Sequence, residues 1–271
     1  MNPTIEASKP RSRFMFITWF DVNSWLIELA DKRILLDPWL VDTLVFNHFS
    51  WLIKGVRPRF YEIPPDIDLI LLSQGLEDHA HPPTLKRLNP ALPVVASPNG
   101  ARVAEGLGYS QVTSLEHGEE FVLDGAIAIK AFPGAPIGPF LTENGYLIRD
   151  LQSGLSLYYE PHGYPDESLK QIGGVDVAIT PIVSLALPVA GTLIRGQPGA
   201  LEVAQLLNPQ IILPTADASE VTYEGVLPPL MQSQGSVDQL QQAMGDRHLT
   251  AQILTPQPGE RLELSLEPSR S

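Results

Sequence analysis

The chain contains no cysteine. Disulfides, thiolate zinc sites and cysteine nucleophiles are therefore excluded, and redox usage says nothing about compartment. Positive charge is also scarce: 18 Lys and Arg against 31 Asp and Glu give a formal net charge of −13. A nucleic-acid partner needs clustered cations to neutralise its phosphates, so this balance argues against one. No apolar run is long enough to span a bilayer. Residues 1–13 are polar and lack the apolar centre of a signal peptide. A cytoplasmic protein is the expectation.

What is present suits a globular protein with a sizeable core. The 271 residues are 44% hydrophobic and 18% charged. The 26 prolines are spread along the chain rather than gathered in one linker. We find no internal repeat, and expect a single domain over residues 14–265 between tails at 1–13 and 266–271. Short apolar segments punctuated by Pro and Gly read as strands: 14–20, 24–30, 33–37, 68–72, 92–96, 112–115, 121–123, 126–132, 145–149, 156–160, 175–180 and 211–214. Edge strands are expected near 252–254 and 261–264. Helices are expected over 100–107, 199–207 and 237–244, with further helical stretches from Pro82-Pro83, over 164–172, and over 42–54. Strand-rich hairpins followed by mixed βα units occur twice. Two face-to-face mixed sheets with helices outside, a four-layer α+β sandwich, satisfy that order.

Residues 68–83 carry the strongest chemical signal. A strand leads into a loop holding Asp78, His79 and His81, and two prolines follow. Asp78 and His79 can be metal ligands. They can equally be structural, Asp78 capping a helix that starts at Pro82-Pro83 and His79 packing beneath the loop. His81 reads as a solvated or capping residue. His162, at the end of the 156–160 strand, lies where loops carry function. His48, His117 and His248 have weaker claims, His248 lying near a helix C-terminus where positive charge is favourable.

The run Ile17-Thr-Trp-Phe-Asp-Val-Asn-Ser-Trp-Leu-Ile-Glu-Leu29, then Arg33-Ile-Leu-Leu-Asp-Pro-Trp-Leu40, resembles the opening of the metallo-β-lactamase-fold hydrolases. The branch it is most similar to holds L-ascorbate-6-phosphate lactonase-like proteins and N-acyl-phosphatidylethanolamine phospholipase D. The likeness runs from about Phe14 to about Asp217. It implies an αββα sandwich with metal at the loop edge of the two sheets. It also implies a signature Ser/Thr-His-x-His-x-Asp-His, of which Asp78 and His79 survive while Gln74 and Leu76 stand in place of the first two histidines. A third histidine is implied near Phe132, where this chain reads Phe-Pro-Gly-Ala-Pro. The bridging aspartate is implied at 159–162, where His162 stands. The last histidine is implied at Ala216, beside Asp217. On the resemblance, Asp78, His79 and His162, with Asp217 or His81 as a fourth, can hold one ion of zinc, manganese or iron. Asp78 would double as catalytic base if it is not itself a ligand.

Residues 46–53, from Phe46 to Ile53, are unusually apolar for a connection. They read as a helix packed on the core, or as a greasy lip over the site that binds an apolar substrate, a protein partner or, less readily for so acidic a chain, a membrane surface. Residues 182–194, from Ile182 to Ile194, would form the opposite lip. Two functions follow as expectations. One is a single-metal hydrolase of an ester, lactone or phosphoester with an apolar part. The other is a catalytically inactive member that binds a ligand or protein through the two lips.

Overall fold

The computed structural model describes residues 14–138, 141–188 and 191–266. The tail expected at 1–13 and most of the one expected at 266–271 lie outside these residues. Leu266 itself is buried in the core.

Two seven-stranded mixed sheets pack face to face. The first runs Arg261–Ser265, Phe14–Trp19, Trp25–Leu29, Lys32–Leu36, Leu69–Leu72, Val94–Ala96 and Val112–Ser114. The second runs Gln252–Ile253, Ile211–Pro214, Val177–Thr180, Ser156–Tyr159, Leu141–Asp150, Ile127–Ile137 and Glu120–Leu123. Alternation of side chains along each strand sends Ile17, Ile27, Ile34, Leu36 and Leu71 inward from the first sheet. Ile129, Ile148, Leu157, Tyr159, Ile179 and Leu213 meet them from the second. The outer faces are covered separately. Ala101 and Ala104 of helix Pro98–Gly106 pack with Leu85 and Ile70 on one side. Helices Gly196–Leu207 and Val237–Gly245 cover Ala178 and Ile212 on the other. These are the four layers of the α+β sandwich.

The helix expected over 42–54 does not form. Asp42, Asn47 and His48 all take positive φ, which no helix tolerates. The segment instead makes two short strands, Leu44–Val45 and Lys54–Val56, and the second pairs with Thr222–Glu224. The stretch 164–172 shrinks to a 3₁₀ turn, Glu167–Gln171, capped by Asp166 after Pro165. Ile127–Ile137 extends past its expected end through Pro133 and Pro136, with a register shift between those prolines. Within 182–194, strands Ser184–Leu187 and Gly191–Ile194 form a hairpin joined by Gln232–Gln234. Val189 and Ala190 of that expected lip lie outside the described residues. Among the described residues no helix is long and apolar enough to cross a membrane.

Parallel strands of both sheets, Leu69–Leu72, Ser156–Tyr159, Val177–Thr180 and Ile211–Pro214, release their C-terminal loops at one edge. Helix Gly196–Leu207 starts against the turn that follows Ser156–Tyr159. There Gly163 has φ +79°, and a Cβ on it would fall 2.0 Å from the Arg195 carbonyl oxygen. A Gly163→Ala substitution meets both strain and collision, so it should cost at least about 2 kcal/mol. Urea unfolding should show a lower midpoint, and an unchanged midpoint would refute this packing.

Candidate functional site

Asp37 ends the strand Lys32–Leu36 and is fully buried. It accepts from the Ser73 backbone N–H at 2.7 Å, the Ser73 hydroxyl at 2.5 Å, the Tyr159 hydroxyl at 2.7 Å and His79 Nδ1 at 2.7 Å. Every neighbour is a donor, which is what a buried carboxylate requires. Burial, reinforced by Asp37, raises the Tyr159 hydroxyl well above the ordinary phenol range, so it stays a donor.

His79 is thus fixed through Nδ1. Its Nε2 lies 3.2 Å from Asp78 Oδ2 and 3.3 Å from Asn23 Nδ2. Burial pulls the His79 imidazole down, but Asp78 and Asp37 outweigh it and hold it well above the usual histidine range. Burial pushes Asp78 up, yet attraction to His79, then His162, leaves it below the usual carboxylate range. Asp78 Oδ1 is buried with no hydrogen-bond partner among the described residues.

The other half comes from the second sheet. His162 follows Ser156–Tyr159, and its Nδ1 donates to the two oxygens of Glu143 at 2.8 and 2.9 Å. Glu143, on strand Leu141–Asp150, is fully buried. It also accepts from Gln74 Nε2 at 3.2 Å and the Ala135 N–H at 3.1 Å. Gly134 leaves it room, since a Cβ there would sit 2.8 Å from Glu143 Cγ. Two of the three places where the resemblance implies a first-metal histidine, Gln74 and the 132–136 segment, therefore close on one carboxylate. Burial pushes Glu143 up, but His162 prevails and holds it low. Buried Glu160 packs against Glu143. Its oxygens accept the backbone N–H groups of His162, Gly163 and Tyr164 at 3.1, 2.5 and 2.7 Å. Burial, then the neighbouring Glu143, raises its carboxyl well above normal, so the two acids share a proton.

The structure brings Asp78, His79 and His162 together. The two imidazoles lie 5.3 Å apart between ring centres, and His79, Glu143 and His162 each offer a donor atom within 4.8 Å of the others. The side chains of His162 and Asp78 are partly exposed, 17% and 20%, while His79 and Glu143 are fully buried. Neither expected fourth residue joins them. His81 is not solvated: it is buried with Nδ1 3.0 Å from Thr84 Oγ1, and burial pushes it down to about 4. Asp217 accepts from the Ala218 N–H and, among the described residues, makes no hydrogen bond to the cluster. His81, not Asp78, occupies the N-cap before Pro82-Pro83. His48, His117 and His248 are exposed, though His117 Nε2 reaches the Glu143 carbonyl at 3.1 Å. Asp37, Glu143, Tyr159 and Glu160 were not foreseen as site residues. The one signal for Glu143 was a charged residue just ahead of an apolar strand.

The model of the beta-lactamase superfamily domain matches residues 16–216. The chain belongs to that family. As a β-lactamase superfamily member it also matches solved structures of the same fold across nearly its whole length. A metallo hydrolase of the archaeon Ignicoccus hospitalis is 17% identical with a TM-score of 0.65, covering 94% of this chain and 100% of its own. An isothiocyanate hydrolase from Delia radicum gut bacteria is 15% identical with a TM-score of 0.67, covering 93% and 99%. The diiron β-hydroxylase CmlA of Streptomyces venezuelae is 15% identical with a TM-score of 0.63, covering 96% of this chain and 55% of its own. At these identities the likeness establishes the metallo-β-lactamase fold. No curated protein matches the chain.

The Asp37–His79 bond is the feature this superfamily member's site is built on. Asp37→Ala should cost about 3–5 kcal/mol, because it strands a buried imidazole. Tyr159→Phe should cost about 1–3 kcal/mol. In metal-free protein the raised His79 adds stability that is complete below the unfolded imidazole value, about 6.5, and fades as pH climbs through the higher folded one. The stability gap between wild type and His79→Gln, from chemical denaturation, should therefore shrink as pH rises above about 6.5. A gap that grows with pH would overturn the assigned charge.

Proposed function

We propose that this chain is a metal-dependent hydrolase with a reduced, one-ion site made by His79, His162 and Glu143, with Asp78 beside it. Its substrate is an ester, lactone or phosphoester with an apolar part. The observation that carries this reading is the convergence of two imidazoles and a carboxylate from three separate elements, beside an Asp78 oxygen without a partner.

The residues fit such an ion. Asp37 takes the Nδ1–H of His79 and leaves Nε2 as the donor, the carboxylate-backed arrangement typical of metal-binding histidines. The nitrogen and carboxylate donors suit zinc, manganese or iron. Gln74 and Ala135 hold Glu143 from the side where the resemblance implies a first ion, which supports one ion rather than two. A bound divalent ion would supply Lewis acidity, polarising the scissile bond and acidifying water beside it. Asp78, whose Oδ1 has no partner among the described residues, is placed beside the cluster to take the proton of the attacking water. Glu160, locked to three backbone N–H groups, keeps Glu143 and the His162 turn in position.

A second reading has its own observation. The His162–Glu143 pair satisfies both groups without any ion, which favours an inactive, ligand- or protein-binding member. Metal analysis of protein purified without chelator separates the two. The hydrolase reading expects about one ion per chain, lost in His79→Ala and in His162→Ala and weakened in Glu143→Gln. Folded wild type without metal favours the second reading. Because the cation must displace a proton from His79, calorimetric affinity should fall about tenfold per pH unit on acidification. Affinity that is flat in pH would exclude His79 as a ligand.

A further inference from the structure

We infer that the substrate is electrically neutral, an uncharged carboxylic ester or lactone whose apolar chain lies along an aromatic wall formed by Phe49 and Trp51. This rests on the hydrolase reading and narrows it, setting phosphoesters and acidic esters aside.

Charge carries the first half. Asp37, Asp78, Glu143 and Glu160 gather around two imidazoles. Among the described residues, no Lys or Arg hydrogen-bonds or ion-pairs with any of the four. The nearby cations are engaged elsewhere: Lys54 with Glu224 at 2.7 Å, Arg195 with Glu202 at 3.1 Å, and Arg59 with Glu220 at 2.9 Å. Arg57 donates through Nη1 to the Phe20 carbonyl and lies over the Trp39 ring; its Nε and Nη2 are buried without a hydrogen-bond partner among the described residues, and none of its nitrogens bonds a carboxyl of the cluster. Four carboxyls set against one dication leave no surplus positive charge. A phosphoester or carboxylate substrate needs a guanidinium, an ammonium or a nest of N–H groups. The backbone N–H groups of residues 162–164, beside the cluster, are already spent on Glu160. The formal net charge of −13 adds a long-range penalty for anions.

Exposed apolar surface carries the second half. Asn47 N–H donates to Glu77 at 2.9 Å, tying the 46–53 segment to the residue beside Asp78. Phe49 and Trp51 are 51% and 64% exposed, and their rings meet edge to face at 6.3 Å. Phe46, three residues earlier, packs inward on Trp39 and Val221 and anchors the segment. Val226 and Leu230, also exposed, extend the wall, and the Val226 N–H bonds the Trp51 carbonyl. Two more exposed side chains lie on segments that reach the cluster. Leu141 lies two residues before Glu143, and Leu193 lies on the hairpin whose next residue but one, Arg195, bonds the His162 carbonyl. Six of the ten large apolar side chains exposed among the described residues thus sit on segments bordering one site. So many on one rim marks a binding surface rather than scatter.

Trp51 is the exposed tryptophan, Trp19, Trp25 and Trp39 being buried, so a blue shift of the emission on ligand binding reports on this wall. Full-length protein is titrated with a neutral amide, N-octylacetamide, and with octyl phosphate. Blue-shifted Trp51 emission with the amide and none with the phosphate is expected. An equal or larger response to octyl phosphate overturns the inference, as does a response to phosphatidylcholine vesicles without one to the dispersed amide. Zinc-, manganese- and iron-loaded chain is then assayed on p-nitrophenyl octanoate, p-nitrophenyl acetate, the monoanionic p-nitrophenyl suberate and bis(p-nitrophenyl) phosphate. The octanoate should exceed both the acetate and the suberate by at least about tenfold in kcat/KM. A Phe49→Ser, Trp51→Ser double variant should raise the KM for octanoate about tenfold at unchanged metal content. If metal binds and the phosphodiester is the ester cleaved, the hydrolase reading stands and this inference falls. If no metal binds, the hydrolase reading falls, and the fluorescence titration still decides the sign of charge the wall admits.

Discussion

A single buried carboxylate, Asp37, holds the working edge of this molecule together. Removing a carboxylate from water costs several kcal/mol unless every lone pair finds a donor. Asp37 finds them on both sides of the sandwich: Ser73 on its own sheet, Tyr159 on the opposite one, and His79 in the loop between. The bond to Tyr159 crosses the apolar interior and ties the ends of two strands that share no backbone hydrogen bond. The bond to His79 orients an imidazole that would otherwise rotate. Sheet register, loop position and ring orientation therefore depend on one charge. The site lies where parallel strands release their C-terminal loops, the edge at which open α/β sheets collect ligands.

The second half of the site is built on a like-charge pair. Glu143 and Glu160 stay in contact because one of them keeps a proton and because each has its own donors. Glu143 has His162, Gln74 and the Ala135 N–H, while Glu160 has three consecutive N–H groups of a tight turn. That turn exists only because Gly163 takes a positive φ and presents no side chain to Arg195. Helix Gly196–Leu207 fits against it through Gly199, whose Cβ would fall 2.3 Å from the Gly163 carbonyl oxygen. Small residues far apart in the chain thus decide how closely His162 approaches His79.

The fold was legible in the sequence because strand alternation and the punctuation by Pro and Gly are local signals. Asp78 and His79 were legible because they are adjacent, and His162 because it stands at a strand end. Glu143 and Glu160 were not, because a carboxylate's role here is set by which other carboxylate it meets, and that contact spans the hairpin between two strands. Asp37 read as a strand terminator before Pro38, and nothing local distinguishes that from a buried acceptor of four hydrogen bonds. The segment 42–54 misled for a different reason. Its apolar content fits a core-packed helix as well as an exposed wall, and only backbone conformation at Asp42, Asn47 and His48 separates the two. His81 does stand at the N-cap, as a histidine before two prolines reads, but the solvated alternative fails because its ring is drawn inward to Thr84.

The aromatic wall and the histidine cluster are not independent parts. Trp39, two residues after Asp37, is anchored through its backbone N–H on Ser24 Oγ at 2.8 Å. Strand Lys54–Val56 presses on its ring so closely that a Cβ at Gly55 would lie 2.7 Å from it, and the Arg57 guanidinium covers the ring at 4.2 Å. That strand carries the wall on one side, and Asp37 carries His79 on the other. A shift of the Asp37-Pro38-Trp39 corner must therefore move ring and wall together, because close-packed contacts of this kind transmit displacement rather than absorb it. If the site selects a neutral, apolar substrate as inferred above, its wall must keep a fixed distance from the histidines, and this corner supplies the rigid link.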